Sequence, residues 1–222
     1  MKQKVKGEET LLKIENFIEK QEPIKANDKT YEKIMFIYSV AIKELLTKLE
    51  ILKDEFKIFY DYDIIDHIQT RIKKPESIIK KMQDKGYELT YQMMIENIND
   101  IAGIRVICPL KKDIFSVRNL VEKLPGISLL KEKDYVTNPK KSGYSSYHLI
   151  VEVPVTLSQR IIYVKVEIQI RTMAMDFWAS LEHKMKYKAK GTITKKTSKE
   201  LIEYAKIITK LDNKMMLLNK EV

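Results

Sequence analysis

Two acidic residues in this chain occupy places where chemistry is conceivable. Asp100 sits at the mouth of "IAGIRVIC", an apolar run from Ile101 to Cys108. Glu167 lies within "YVKVEIQIR", where Val164, Val166, Ile168 and Ile170 share one face of a strand and Lys165, Glu167, Gln169 and Arg171 share the other. If that polar face is solvated, its residues are ordinary. If it lines a cleft, Asp100 and Glu167 converge as two carboxylates on one Mg²⁺, a hard cation that completes its shell with substrate phosphates. Arg105 inside an apolar strand needs a partner or a cleft. Gly103 permits a bulge or a close backbone approach that would re-aim Asp100 or Arg105.

Cations gather at two further places. In "RIKKPESIIKKM", Arg71, Lys73 and Lys74 precede a helix expected to start at Pro75, with Ser77, Lys80 and Lys81 in its first turns. Free N–H groups and the positive dipole end make such a start a natural phosphate site. The loop "NPKKSGYSSYH", residues 138–148, delivers lysines, Tyr144 and His148 to the start of a strand. Plainer readings exist for each feature: a basic helix face, a structural Asp–Arg pair, a hairpin turn. The glycines, at positions 7, 86, 103, 126, 143 and 191, build no GxxxxGK[ST] or GxGxxG phosphate loop. Side chains, a helix start and Mg²⁺ must hold any phosphate, and the set together suggests a nucleotide-transferring site.

The elements that position these groups follow from periodicity. Helices are expected over residues 8–20 and 28–59, the second carrying Ile34, Tyr38, Ala41, Leu45, Leu49, Leu52 and Phe56 at helical spacing. Others run from Pro75 to a stop at Gly86 and over residues 90–98, 111–124, 172–188 and 198–219. Strands are expected over residues 101–108, 127–136, 145–155 and 160–171. Helices, then a mainly antiparallel or mixed sheet with covering helices, then helices make an α+β fold. The net charge of +10 points to an anionic partner. One cysteine forbids an internal disulfide, and no apolar run approaches a membrane span, so a cytoplasmic location is expected.

The segments "RIKKPESIIKKM", "DIAGIRVIC", "EKDYVTNPKKSGYSSYH" and "VEIQIRTMAMDFWASLEHKMKYK" occur in the order found in RelA/SpoT-type synthetase domains. With "AMDFWASLEHK" the chain resembles the stand-alone small alarmone synthetases of the RelP/RelQ class. The resemblance covers about residues 65–190. It implies a nucleotidyltransferase-like core over residues 61–190, a helical extension over 1–60 and an oligomerisation helix over 191–222. It implies pyrophosphate transfer from ATP to the 3′-hydroxyl of GDP or GTP, with GMP as a further candidate, giving AMP and (p)ppGpp. By position, Arg71, Lys73, Ser77, Lys81 and Arg105 resemble the ATP-binding residues, and Asp100 and Glu167 the catalytic, Mg²⁺-binding pair. Tyr144 matches the tyrosine that stacks on guanine, and Lys133, Lys140, His148 and Gln169 line the acceptor side. Ser142 stands where asparagine is usual before Gly-Tyr, and Tyr147 where an aliphatic residue is usual.

The resemblance further implies a homotetramer through terminal helices, and the last helix carries an apolar seam of Leu201, Tyr204, Ile208, Leu211, Met215 and Leu218. The lysine-rich segment before it is expected to detach it from the core. Control by (p)ppGpp or RNA is left open. His67, His148 and His183 do not form the His/Asp cluster of a companion hydrolase, so synthesis without degradation is expected. Two competing readings are a basic single-stranded RNA-binding module and another metal-dependent nucleotidyltransferase.

Overall fold

The computed structural model describes residues 11–14, 23–25, 28–188 and 194–219. Its elements are β1 (Leu11–Lys13), α1 (Lys29–Tyr60), β2 (His67–Ile72), α2 (Pro75–Asp84), α3 (Tyr91–Asn97) and β3 (Ala102–Cys108). They continue with α4 (Lys111–Glu122), β4 (Ser128–Asp134), β5 (Tyr147–Leu157), β6 (Arg160–Thr172), α5 (Met173–Lys188) and α6 (Lys195–Leu218). The mixed sheet runs β2-β3-β6-β5-β4, with β1 pairing parallel to the start of β6. Only β3 and β6 are parallel within the main path. This is the α+β arrangement expected.

Local chemistry sets the helix starts. Asp28 caps α1 by accepting from Tyr31 N at 2.7 Å, and Thr90 caps α3 by accepting from Met93 N at 3.3 Å. Along α1, Ile34, Tyr38, Ala41, Leu45 and Leu49 are buried against Val151, Val153, Val164, Val166 and Ile168 of the sheet. Ile114, Val117 and Val121 of α4 join the same core. One face of the sheet is thus covered by α1 and α4, and the other carries polar groups. The N-terminal helix and the sheet share one hydrophobic interior.

Three expectations need correction. Residues 11–13 form a strand where a helix over 8–20 was expected; the rest of that stretch, apart from Ile14, lies outside the described residues. β2 was not anticipated at all, because "HIQTRI" lacks the apolar alternation of a half-buried strand and its last four residues are exposed. Gly103 makes no bulge: β3 keeps unbroken register with both β2 and β6 from Ala102 to Cys108. The space above Gly103 is filled by Arg71, whose Cγ would stand 3.5 Å from a Cβ placed there.

The last helix also departs from expectation. Leu201 and Ala205 of α6 are buried with Trp178 and Ala179 of α5 in a small second core, and Ile208 packs on it. Trp178 Nε1 donates to Leu201 O at 2.9 Å, and Thr172 Oγ1 donates to Asp212 Oδ2 at 2.8 Å. The helix is therefore docked, not detached. The expected seam divides: Leu201 and Ile208 face inward, while Tyr204, Leu211, Met215 and Leu218 stay exposed. The linking residues 189–193, including the 190/191 boundary, lie outside the described residues.

Candidate active site

Two adjacent rows of residues cross the polar face of the sheet. Register aligns Gln69 with Arg105, Arg105 with Gln169, Gln169 with His148, and His148 with Lys133. The next row aligns Arg71, Gly103, Glu167, Ile150 and Lys131. Five strands thus contribute one floor, and seven of its ten residues are groups that sequence reasoning singled out for the site or its backbone.

A bulge in β4 turns its lysines onto that floor. Leu129 pairs with Val151 on the core face, but the register then slips and Lys131 pairs with Ile150. Strict alternation would have sent Lys131 and Lys133 inward with Leu129. The extra residue, Leu130, reverses the faces, which is what bulges do beside functional sites.

The floor bears a groove with two arms that meet at Glu167. One arm is lined by Gln69, Arg71, Arg105, Gln169 and Glu167, and extends past Tyr144 and Arg171 to α5. The other is lined by Lys81, Lys131, Lys133, Lys140, His148 and Asp100, again with Glu167. The first arm offers flat guanidinium and phenol groups suited to nucleobases. The second offers point charges suited to phosphates.

Glu167 belongs to a closed ring of hydrogen bonds. Its Oε1 lies 3.2 Å from His148 Nδ1, and Gln169 Nε2 donates to Oε2 at 2.7 Å. His148 Nε2 meets Tyr144 OH at 2.8 Å, and Arg171 donates through Nη2 to Tyr144 OH at 2.6 Å and to Gln169 Oε1 at 2.7 Å. Burial raises the Glu167 pKa, but the hydrogen bond and charge of His148 and the Gln169 amide outweigh it and hold the carboxyl below its ordinary value. Asp100 follows the same logic. Burial opposes its ionisation, yet Lys73 and Lys81, each 2.8 Å from it, leave its pKa lowered.

The lysine contacts show a gap. Lys73 bonds Oδ2, whereas Lys81 meets Oδ1 at ion-pair distance without hydrogen-bond alignment, so that buried oxygen has no aligned donor. This carboxylate, with a second one across the same groove arm, fits a hard divalent cation. Among the described residues no three acidic, His or Cys groups gather.

The arginine arm is strongly cationic. Arg105 Nη1 and Arg171 Nη1 share Asp176 Oδ1, at 3.1 and 3.0 Å. Burial lowers the Arg105 pKa, the Arg171 and Arg71 charges add to that, and Asp176 works against them. Arg105 Nε is buried with no hydrogen-bond partner among the described residues, an unmet donor in the groove wall.

Most expected residues are thus brought together. Ser77 is not: it is exposed on α2 and lines no part of the groove described above. Lys73 reaches the site through Asp100. Ser142 Oγ accepts from Tyr144 N at 3.4 Å, closing the loop locally. Tyr147 is buried, with its hydroxyl on Glu132 at 3.0 Å, so it serves packing. Sequence reasoning missed Tyr135, Arg171 and Asp176 as site residues. Arg171 was visible on the polar face of β6; Tyr135 and Asp176 lie within the quoted segments, but nothing in their spacing gave them a role.

The family model described as "Region found in RelA / SpoT proteins" matches residues 70–192. The chain is 45% identical over 188 residues to the GTP pyrophosphokinase YwaC of Bacillus subtilis, covering 85% of this chain and 90% of that protein. It is 34% identical over 196 residues to the GTP pyrophosphokinase YjbM of the same organism, covering 88% and 92%. In shape it is similar to small alarmone synthetase 1 of Bacillus subtilis bound to its product pppGpp, with a TM-score of 0.82 and 34% identity, covering 88% of this chain and 99% of that one.

Proposed function

The chain belongs to the RelA/SpoT family, and on that premise we infer that its groove passes pyrophosphate from ATP to the 3′-hydroxyl of a guanosine nucleotide. It is a GTP pyrophosphokinase of the small alarmone synthetase kind. The observation that carries the site assignment is the position of Glu167, the side chain at which the base-binding arm and the phosphate-binding arm meet.

In this reading the bases lie toward Arg71, Arg105 and Tyr144, and the phosphates toward the lysines. The 3′-oxygen attacks the β-phosphorus of ATP; the bond between that phosphorus and the α,β-bridging oxygen breaks, and AMP leaves. Glu167, kept ionised by His148 and Gln169, takes the proton from the hydroxyl. Charge growing on the phosphoryl oxygens is met by Lys81, while Lys131, Lys133 and Lys140 face the 5′-phosphates of the acceptor. Asp100 and Glu167 would hold Mg²⁺, which when bound neutralises phosphate charge. Lys73 and Lys81 would then be freed in part from Asp100 to meet the triphosphate. GDP, GTP and GMP are the candidate acceptors.

A cytoplasmic enzyme is proposed; no helix among the described residues is long and apolar enough to cross a membrane. A homotetramer is also proposed, supported by the exposed Tyr204, Ile207, Leu211 and Met215 on α6. Leu211→Glu should lower the mass in light scattering.

Incubation with ATP, GDP or GTP and Mg²⁺ tests the reaction. AMP and a 3′-pyrophosphorylated guanosine nucleotide are expected. Release of inorganic pyrophosphate with nucleotide transfer, or RNA binding without AMP, would overturn it.

A further inference from the structure

Lys140 occupies an unusual place for a phosphate ligand. Gly143 N donates to Lys140 O at 2.8 Å, and Lys140 N donates to Tyr144 O at 3.0 Å, so the two residues are cross-turn neighbours. The Lys140 ammonium stands 4.7 Å from the ring centroids of both Tyr135 and Tyr144. Arg171 also approaches the Tyr144 ring, its guanidinium carbon 5.2 Å from the centroid. One ring therefore carries two cations. Arg171 is buried and tied to Ser146, Asp176, Tyr144 and Gln169. Lys140 is exposed, and only it has the freedom to leave.

We propose that Lys140 is a specificity latch: it covers Tyr144 in the empty site and is drawn off by the 5′-phosphates of the acceptor. A phosphate oxygen is a stronger partner for an ammonium group than a phenol face. The same groove arm that carries Lys140 also carries Lys131 and Lys133, where those phosphates would lie. Base stacking then becomes conditional on phosphate, and guanosine without phosphate is rejected although its base is the same. The proposal rests on the reading of Tyr144 as the guanine platform.

A residue that merely contacts phosphate and a latch predict different signs. Binding of guanosine and of GTP is measured separately by calorimetry on the full chain, on Lys140→Met and on Tyr144→Ala, each checked for fold by circular dichroism. For Lys140→Met the latch requires GTP to bind about tenfold more weakly and guanosine about threefold to tenfold more tightly, the size expected for lost contacts to two rings. Guanosine binding that is unchanged, weaker or undetectable in Lys140→Met overturns the latch. Tyr144→Ala separates the two levels: if it binds GTP as tightly as the parent chain, the guanine platform itself is wrong.

Discussion

The floor of the groove and its tyrosine wall are held by different means. The floor hangs on strand register, backed by the main core of α1, α4 and the sheet. The wall, residues 140–144, leans on the small core of Trp178, Ala179, Leu201 and Ala205, against which Tyr144 packs. A floor side chain can change and leave the backbone beneath it in place. The wall can lose its geometry through residues that touch no nucleotide.

The largest expected effect sharpens the floor side of this contrast. Glu167→Gln keeps shape and neighbours but removes the base, so kcat should fall by at least ~10²-fold with an unchanged melting curve. Near-normal synthesis would refute the assignment. On the wall, Tyr144→Ala should cost acceptor use roughly 1–3 kcal/mol, seen as a higher KM for GDP or GTP at constant KM for ATP. Tyr144→Phe should be milder, because the ring survives.

A third change reaches the wall from behind. Gly143 has φ +91°, and a Cβ there would lie 2.5 Å from the Ala205 Cβ. Gly143→Ala should therefore weaken acceptor use by about 1–2 kcal/mol through strain and overpacking. Adding Ala205→Gly should restore part of the loss, the packing share; a double mutant no better than Gly143→Ala would break the link between wall and helix.

The smallest effect concerns α6 itself. Burial pushes the Asp212 carboxyl above its ordinary value, although the Thr172 hydroxyl and Lys111 pull the other way. Folding then favours the protonated form, and stability falls as pH rises from the ordinary carboxylate value of about 4 through the raised one. Asp212→Asn should abolish that slope, with a gain under ~1 kcal/mol at neutral pH in thermal melts. A parent chain more stable at pH 7 than its Asn variant would reverse the sign.

Much of the floor was legible because it is written in strand periodicity. The alternation in β6 separated Glu167 and Gln169 from the core residues, and the apolar β3 marked Arg105 as needing a cleft. What stayed hidden depends on pairing between distant segments. The bulge at Leu130 shows only when β4 meets β5. Gly103 reads as a bulge signal in isolation but proves to be the bed for Arg71 across the strand pair. The spacing along α6 revealed an amphipathic helix, yet not that the chain's own α5 takes part of the apolar face. Ala205 and Asp212, which settle that docking, are small or polar and break the seam read from larger residues.

Trp178 is the chain's only tryptophan. Its indole is buried, and Cζ2 lies 3.4 Å from where a Cβ on Gly143 would stand. The protein therefore carries an optical probe behind the loop of residues 140–144. A shift of the loop away from α6 would open the indole to water and move its emission to longer wavelength. A nucleotide that pressed the loop into place would shift the emission back. Stopped-flow mixing with GTP or with ATP would thus time whatever loop movement each nucleotide causes, with no label attached.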